Sequence, residues 1–268
     1  MPDGDAARLV SVRAWHRPGV PRRMSTEREA RLQQQLEAAD KRLQVLMHGI
    51  SHDLRAPLRA IDGFAARLSR QLGADGDAAA IETLARISAT SARMAGLMDG
   101  LLELARAGSV ALRPMPIDVS LLADWCAAEL QDADPGREAV IEVQQGLEVI
   151  GDERLLKTLL AQLLRNAWRF SATRPRVQID VSGTRDGNGL ALVVRDHGIG
   201  FEMTYAEKML EPFQRLHGSD DGAGDGIGLA IADTIVSRHG GHIRAESVPG
   251  EGATFHVRLQ DLPMPEAR

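Results

Sequence analysis

Several things are missing from this sequence, and each absence narrows the field. No apolar run approaches the ~18 residues a membrane span requires, and the N-terminus has no apolar signal-peptide core. A soluble, cytoplasmic protein without a membrane span is therefore expected. Cysteine occurs once, at Cys126, which excludes an intrachain disulfide and any cysteine-rich metal site. A net charge of −5 and a pI near 5.9 leave no general electrostatic footprint for nucleic acid, so none is expected as a partner. No internal repeat is found. What remains is an ordinary apolar fraction, 44% of 268 residues, enough for two modest cores.

Residues 1–24 carry Pro18 and Pro21 and are Arg-rich after Asp5, with no periodicity; they read as a disordered basic arm. Met24, a candidate initiator in its own right, is followed by Ser25 or Thr26 as a helix cap. From there Leu36, Ala39, Leu43, Leu46, Ile50, Leu54, Leu58, Ile61, Ala65, Leu68 and Leu72 recur at alternating three- and four-residue spacing. That is the seam of a packed helical hairpin, beginning as a coiled coil. Residues 25–50 are expected as a coiled-coil signalling helix and 51–108 as the hairpin. His52 and Asp53 stand side by side on the first helix, beside the seam. Pro57 cannot offer an N–H to the carbonyl of Asp53, so a bend is expected there.

Gly73 to Asp77 breaks the helix, and Leu84, Ile87, Ser91, Met94, Met98, Leu101 and Ala105 mark its return. Two such helices expose an apolar stripe that one hairpin cannot bury. Pairing of two copies into a dimeric four-helix bundle is the expected solution; packing on the chain's own second domain is the alternative. Residues 109–116, with Pro114 and Pro116, read as a linker. From 117 to 262 the pattern becomes mixed. Helices are expected near 120–130, 153–170, 204–210 and 227–239, and strands near 139–144, 148–150, 176–183, 190–196, 242–247 and 254–259. Strands on one face and helices on the other predict an α/β sandwich. Residues 263–268 are a tail.

Three stretches of this second domain suit a nucleotide with magnesium. On the helix over Gln162–Phe170, Asn166 can offer an amide oxygen to Mg²⁺, a hard ion that takes few protein ligands beside phosphates. Arg169, three residues on, shares that face and can reach phosphate. In Asp196-His197-Gly198-Ile199-Gly200 the carboxylate can accept from an exocyclic amine such as adenine's, and the glycines let the backbone pass close to a base. Gly222 to Leu229 runs into a helix whose N–H groups suit an anion.

In order and spacing these stretches resemble the transmitter core of a bacterial sensor histidine kinase. Ser51–Leu58 is similar to the phosphoacceptor box, Gln162–Phe170 to the asparagine box and Asp196–Gly200 to the first glycine box. Glu211-Pro212-Phe213 resembles the phenylalanine box and Gly224–Leu229 the second glycine box, and a tail from Gly240 to Phe255 fits too. The resemblance implies a dimeric helical hairpin followed by a Bergerat-type α/β sandwich, an α + α/β chain. It implies ATP and Mg²⁺ as cofactors, His52 as phosphate acceptor and Asp53 as its base. It further implies Asn166 as the metal ligand, and Arg169, Phe170, Asp196, Gly198, Gly200, Phe213, Arg215, Gly224, Gly226, Gly228, Leu229 and Thr254 around the nucleotide. Expected partners are a second copy, the receiver domain of a response regulator, and a sensor that was removed or is a separate protein.

The sequence departs from that family at several positions. Gln162 stands where many of these kinases have Asn and where related ATPases carry a water-activating Glu; Gln cannot act as a base. Asp225 replaces a small Ser or Thr and, with Asp220 and Asp221, puts three acids near a triphosphate, so modest ATP affinity is expected unless magnesium, Arg215 or His217 offsets them. Ala56 stands where phosphatase-competent members have Thr or Asn, so weak phosphatase action is expected. The alternative to a kinase is a dimeric nucleotide-sensing scaffold with decayed kinase activity. An ATPase is the third reading, which Gln162 disfavours.

Overall fold

The computed structural model describes residues 22–73, 77–206, 208–214 and 225–264, and the chain divides into two compact units, Met1–Arg42 and Leu43–Arg268. The described part of the first unit is entirely helical. It is the beginning of α1 (Arg22–Leu72), which is assigned continuously through Pro57. The expected arm lies mostly outside the described residues.

In the second unit α1 is followed by α2 (Ala78–Ser109), whose first turn is capped by Asp77 accepting from the amide of Ala79. The expected seam divides in two. Leu58 and Ala65 of α1 and Leu84, Met98 and Leu102 of α2 are buried, and Ser91 Oγ donates to the carbonyl of Leu58 at 3.0 Å. Leu54, Ile61, Phe64, Leu68, Ile87 and Met94 remain exposed, between 40% and 70%. One face of the heptad pattern closes the hairpin, and the other stays open.

β1 (Met115–Asp118) pairs antiparallel with β3 (Glu148–Gly151). The sequence predicted linker for its first two residues, because Pro114 and Pro116 punctuate it; a two-stranded edge tolerates proline where a central strand does not. α3 (Val119–Ala133) is capped by Asp118, and α4 (Glu153–Phe170) by Asp152. β2 (Ala139–Val143), β4 (Val177–Asp186), β5 (Gly189–Asp196), β6 (His242–Val248) and β7 (Gly252–Gln260) form a sheet in the order β2-β4-β5-β7-β6. Only β2 and β4 run parallel. Period-two alternation puts Ile179, Leu192, Phe255 and Leu259 on the inner face, each 1% exposed or less, against Leu159, Leu163 and Leu164 of α4 and Ile231 and Ile235 of α5 (Gly228–Arg238). The result is the predicted two-layer sandwich. The helix expected near 204–210 is instead two short 3-10 turns, Met203–Tyr205 and Lys208–Leu210. With only Met209 buried there, the segment lacks the apolar stripe that would lengthen it.

Candidate nucleotide site

Between α4, α5 and the ends of β5 and β7 lies a cavity of about 530 Å³. α4 brings Asn166, Arg169 and Phe170 to it, the start of α5 brings Gly226, Gly228 and Leu229, and the end of β5 brings Asp196 and Gly200. Eight of the residues singled out from the sequence thus line one space. The hydrophobic floor comes from Phe201, Met209, Ile227 and Ile231.

Asp196 is the most constrained group. It is 2% exposed, and its Oδ1 accepts from the amides of Gly198 at 2.9 Å and Ala253 at 3.3 Å. Burial raises its pKa above the ordinary carboxylate value, opposed by those two amides and by His197. Two bonds converge on one oxygen, which leaves Oδ2 as the acceptor for an incoming amine. Gly198 has no alternative at its position, since a Cβ there would lie 2.9 Å from Asp196 Oδ1 and nearer still to the Phe170 carbonyl.

At the other end α5 starts at Gly228, and its cap residue Ile227 makes no side-chain capping bond. The first-turn amides therefore keep their capacity for an anion. Gly226, at φ 70°, makes the turn that aims them, and its carbonyl accepts from the amide of Phe213 at 2.8 Å. The Phe213 ring is 54% exposed and its own φ is +68°. This residue therefore holds the turn through its backbone amide.

Thr254 is out of place by one residue. It pairs across the sheet with Arg195 and Glu246, on the face away from the helices, and its neighbour Ala253 lines the cavity. Gly198 supports Asp196 without lining the space. Arg215 and Gly224, with Asp220, Asp221 and His217, lie outside the described residues. His52 lies on α1, with its side chain outside the described ones; Asp53, beside it, is exposed.

The sequence reading missed the wall supplied by the hairpin. Arg55, Gly96, Asp99, Gly100, Glu103 and Arg106 line the same cavity. Gln162 Nε2 donates to Glu103 Oε2 at 2.7 Å, and Arg55 Nη2 pairs with Asp99 Oδ1 at 2.7 Å. A Cβ on Gly96 would come within 2.6 Å of Asp225 Oδ2, and one on Gly100 within 3.1 Å of Ile227 Cδ1. The two glycines four apart in α2 were the signal, since they permit a close approach on one helical face. Two of the departures noted in the sequence, Gln162 and Asp225, are therefore among the residues that meet α2.

A buried carboxylate, an uncapped helix start and an asparagine on one cavity wall are the features of a nucleotide-binding domain. Comparison with known proteins agrees. Residues 151–263 match the model of the histidine kinase-, DNA gyrase B- and HSP90-like ATPases, and residues 42–110 match that of the His Kinase A (phospho-acceptor) domain. Carrying both domains in this order, the chain is a histidine kinase transmitter core. It is 33% identical to cyanobacterial phytochrome B of Nostoc sp. over 87% of this chain and 31% of that one. It is 30% identical to the sensor-like histidine kinase SenX3 of Mycolicibacterium smegmatis over 81% of this chain and 57% of that one. The first curated relatives it matches are covered over only 26% to 31% of their length. The fold is shared with full-length ShkA, solved with AMPPNP, at a TM-score of 0.58, 23% identity and coverage of 83% of this chain and 47% of that one. No helix among the described residues is long and apolar enough to cross a membrane.

Proposed function

We propose that the chain is an ATP-dependent protein-histidine kinase that phosphorylates His52 and passes the phosphate to an aspartate of a response regulator. The observation carrying this reading is the single cavity in which Asp196, Asn166, Arg169 and the start of α5 meet residues of the hairpin that bears His52. Asp196 accepts from the exocyclic amine of adenine through Oδ2. Arg169 and the amides at Gly226–Leu229 hold the phosphates, and Asn166 ligates Mg²⁺ by its side-chain oxygen. That ion, when bound, offsets charge on the phosphates. In the reaction the lone pair of one His52 ring nitrogen forms the N–P bond as the bond from the γ-phosphorus to the bridging oxygen breaks. ADP leaves with that electron pair, and Asp53 takes the proton from the other ring nitrogen.

The hairpin's open apolar face supports a homodimer. Leu54, Ile61, Ile87 and Met94 lie 40% to 46% exposed in the single chain. Leu58, Ile61, Ile87 and Met94 also border a separate, almost wholly apolar depression of about 310 Å³. A second copy laying the same face there forms the four-helix bundle. A cytoplasmic setting and weak phosphatase action belong to the same reading.

The test is incubation with γ-labelled ATP and Mg²⁺, comparing the chain with His52→Gln and Asn166→Ala. Acid-labile, alkali-stable label lost in both variants is the expected result. Bound nucleotide with no label in the intact chain would favour the nucleotide-sensing scaffold. Asp225, which lines the cavity, gives that second reading its support.

A further inference from the structure

We infer that each copy phosphorylates its own histidine, and that Arg55 of the same copy is the cation that meets the transferred phosphate. The inference rests on the kinase reading above. It begins from the position of Arg55 three residues beyond His52 on α1, a spacing that places two residues on one helical side, about 4.5 Å apart along the axis. The Arg55 side chain lines the nucleotide cavity of its own chain, together with Asn166, Arg169 and Gly228. The cavity therefore opens toward the turn of α1 that carries its own chain's His52. Arg55 is held by Asp99 on α2. Both side chains are open to solvent, 44% and 63% exposed, and an ion pair so exposed is weak and readily exchanged for a phosphate oxygen.

The connection between the domains supports the same assignment. Between the end of α2 and the start of β1, three residues are tied to the nucleotide domain by hydrogen bonds. Arg238 Nη2 donates to the carbonyl of Val110 at 2.6 Å, Arg154 Nη2 to that of Ala111 at 3.2 Å, and the amide of Arg113 to Asp152 Oδ2 at 2.9 Å. Arg238 Nη1 also donates to the carbonyl of Ala107 at 2.9 Å, and Gln162 to Glu103. A linker stapled at three points, with the helix before it clasped, keeps the nucleotide domain over the hairpin it is joined to. Reaching a partner's α1 would require breaking this set of contacts.

Mixed dimers test the inference. A tagged His52→Gln chain, which can bind nucleotide, is combined with an Asn166→Ala chain, which keeps its histidine. With γ-labelled ATP and Mg²⁺ we expect neither chain to be labelled. Label on the Asn166→Ala chain overturns the inference. Dimers of wild type with His52→Gln serve as the reference and label the wild-type chain under either arrangement, so an unlabelled reference refutes the kinase reading instead. Co-expression of the two differently tagged chains supplies the mixed dimer. In dimers of wild type with Arg55→Ala, label is expected to fall roughly 30-fold or more, and only on the variant chain. Measured on Arg55→Ala homodimers, the loss lies in kcat, with KM for ATP within about threefold of wild type. Arg55→Lys restores part of it. Equal loss on both chains of the mixed dimer, or a change in KM alone, overturns the role of Arg55.

Discussion

Replacing Asp196 by Asn tests the adenine end of the site without dismantling it. Asn keeps an oxygen at the Oδ1 position, so the amides of Gly198 and Ala253 retain their acceptor at 2.9 and 3.3 Å. At the Oδ2 position it places an NH₂ group, which turns a charge-assisted acceptor into a donor facing a donor. Losing the charge-assisted bond and confronting two unpaired N–H groups should together cost about 2–4 kcal/mol, roughly 30- to 1000-fold in Kd for ATP. Fold stability should move the other way. Burial raises the carboxyl's pKa, and a raised folded-state pKa means that ionisation costs stability as pH rises through it. At neutral pH the neutral amide is relieved of that cost, so the melting temperature should hold or rise. Guanine presents a carbonyl where adenine presents its amine, so the preference for ATP over GTP should collapse. The assays are calorimetric titration with both nucleotides and thermal unfolding. An Asp196→Asn protein that melts normally yet binds ATP within about threefold of wild type would refute the reasoning.

Three other expectations follow from the packing and the charges. His239 is fully buried, receives the Asp152 amide on Nε2 at 3.2 Å and pairs through Nδ1 with the Ile235 carbonyl at 2.8 Å, and burial lowers its pKa from 6.5. Its contribution is present above that unfolded-state value and is lost as pH falls below it; denaturant unfolding from pH 7 to 5 should show a decline that His239→Gln flattens. Leu163, 0% exposed on the face of α4 that packs on the sheet, should cost about 2–5 kcal/mol when cut to Ala, read as a lower denaturation midpoint with unchanged slope. Asp225→Thr removes one carboxylate from the phosphate side of the cavity and should tighten ATP on the order of 1 kcal/mol, roughly fivefold; unchanged affinity in a binding titration would count against the repulsion argument.

The sandwich was legible because its elements carry strong local signals. α4 falls where its apolar period and the Asp152 cap place it, and the inner strands alternate with period two. The place of Asp196 at the cavity was legible for a related reason: a carboxylate between a strand and two glycines falls where the sheet ends and the backbone turns. The hairpin wall was not legible. Arg55, Asp99 and Glu103 are ordinary exposed helical charges in sequence, and only the tertiary approach of α2 gives them a neighbour. Thr254 was misplaced because one residue along a strand changes the face, and motif similarity does not fix register. The 3-10 turns at 203–210 defeated periodicity, since segments so short are decided by what packs on them.

The carboxylate of Asp152 is a single knot in which three threads meet. It caps α4 through the amides of Arg154 and Leu155 and grips the linker at Arg113, while its own amide is tied to His239 at the end of α5. Burial pushes its pKa up, but the bonds from Arg154, Arg113 and Leu155 outweigh this and hold it lowered, so the knot stays charged and tied at neutral pH. The chain leaving α2 is therefore held to the nucleotide domain within four residues of the helix end. Through this one residue α2's exit is joined to α4 and to the end of α5, the two helices that line the nucleotide cavity, so a rotation of α2 is expected to act on both at once.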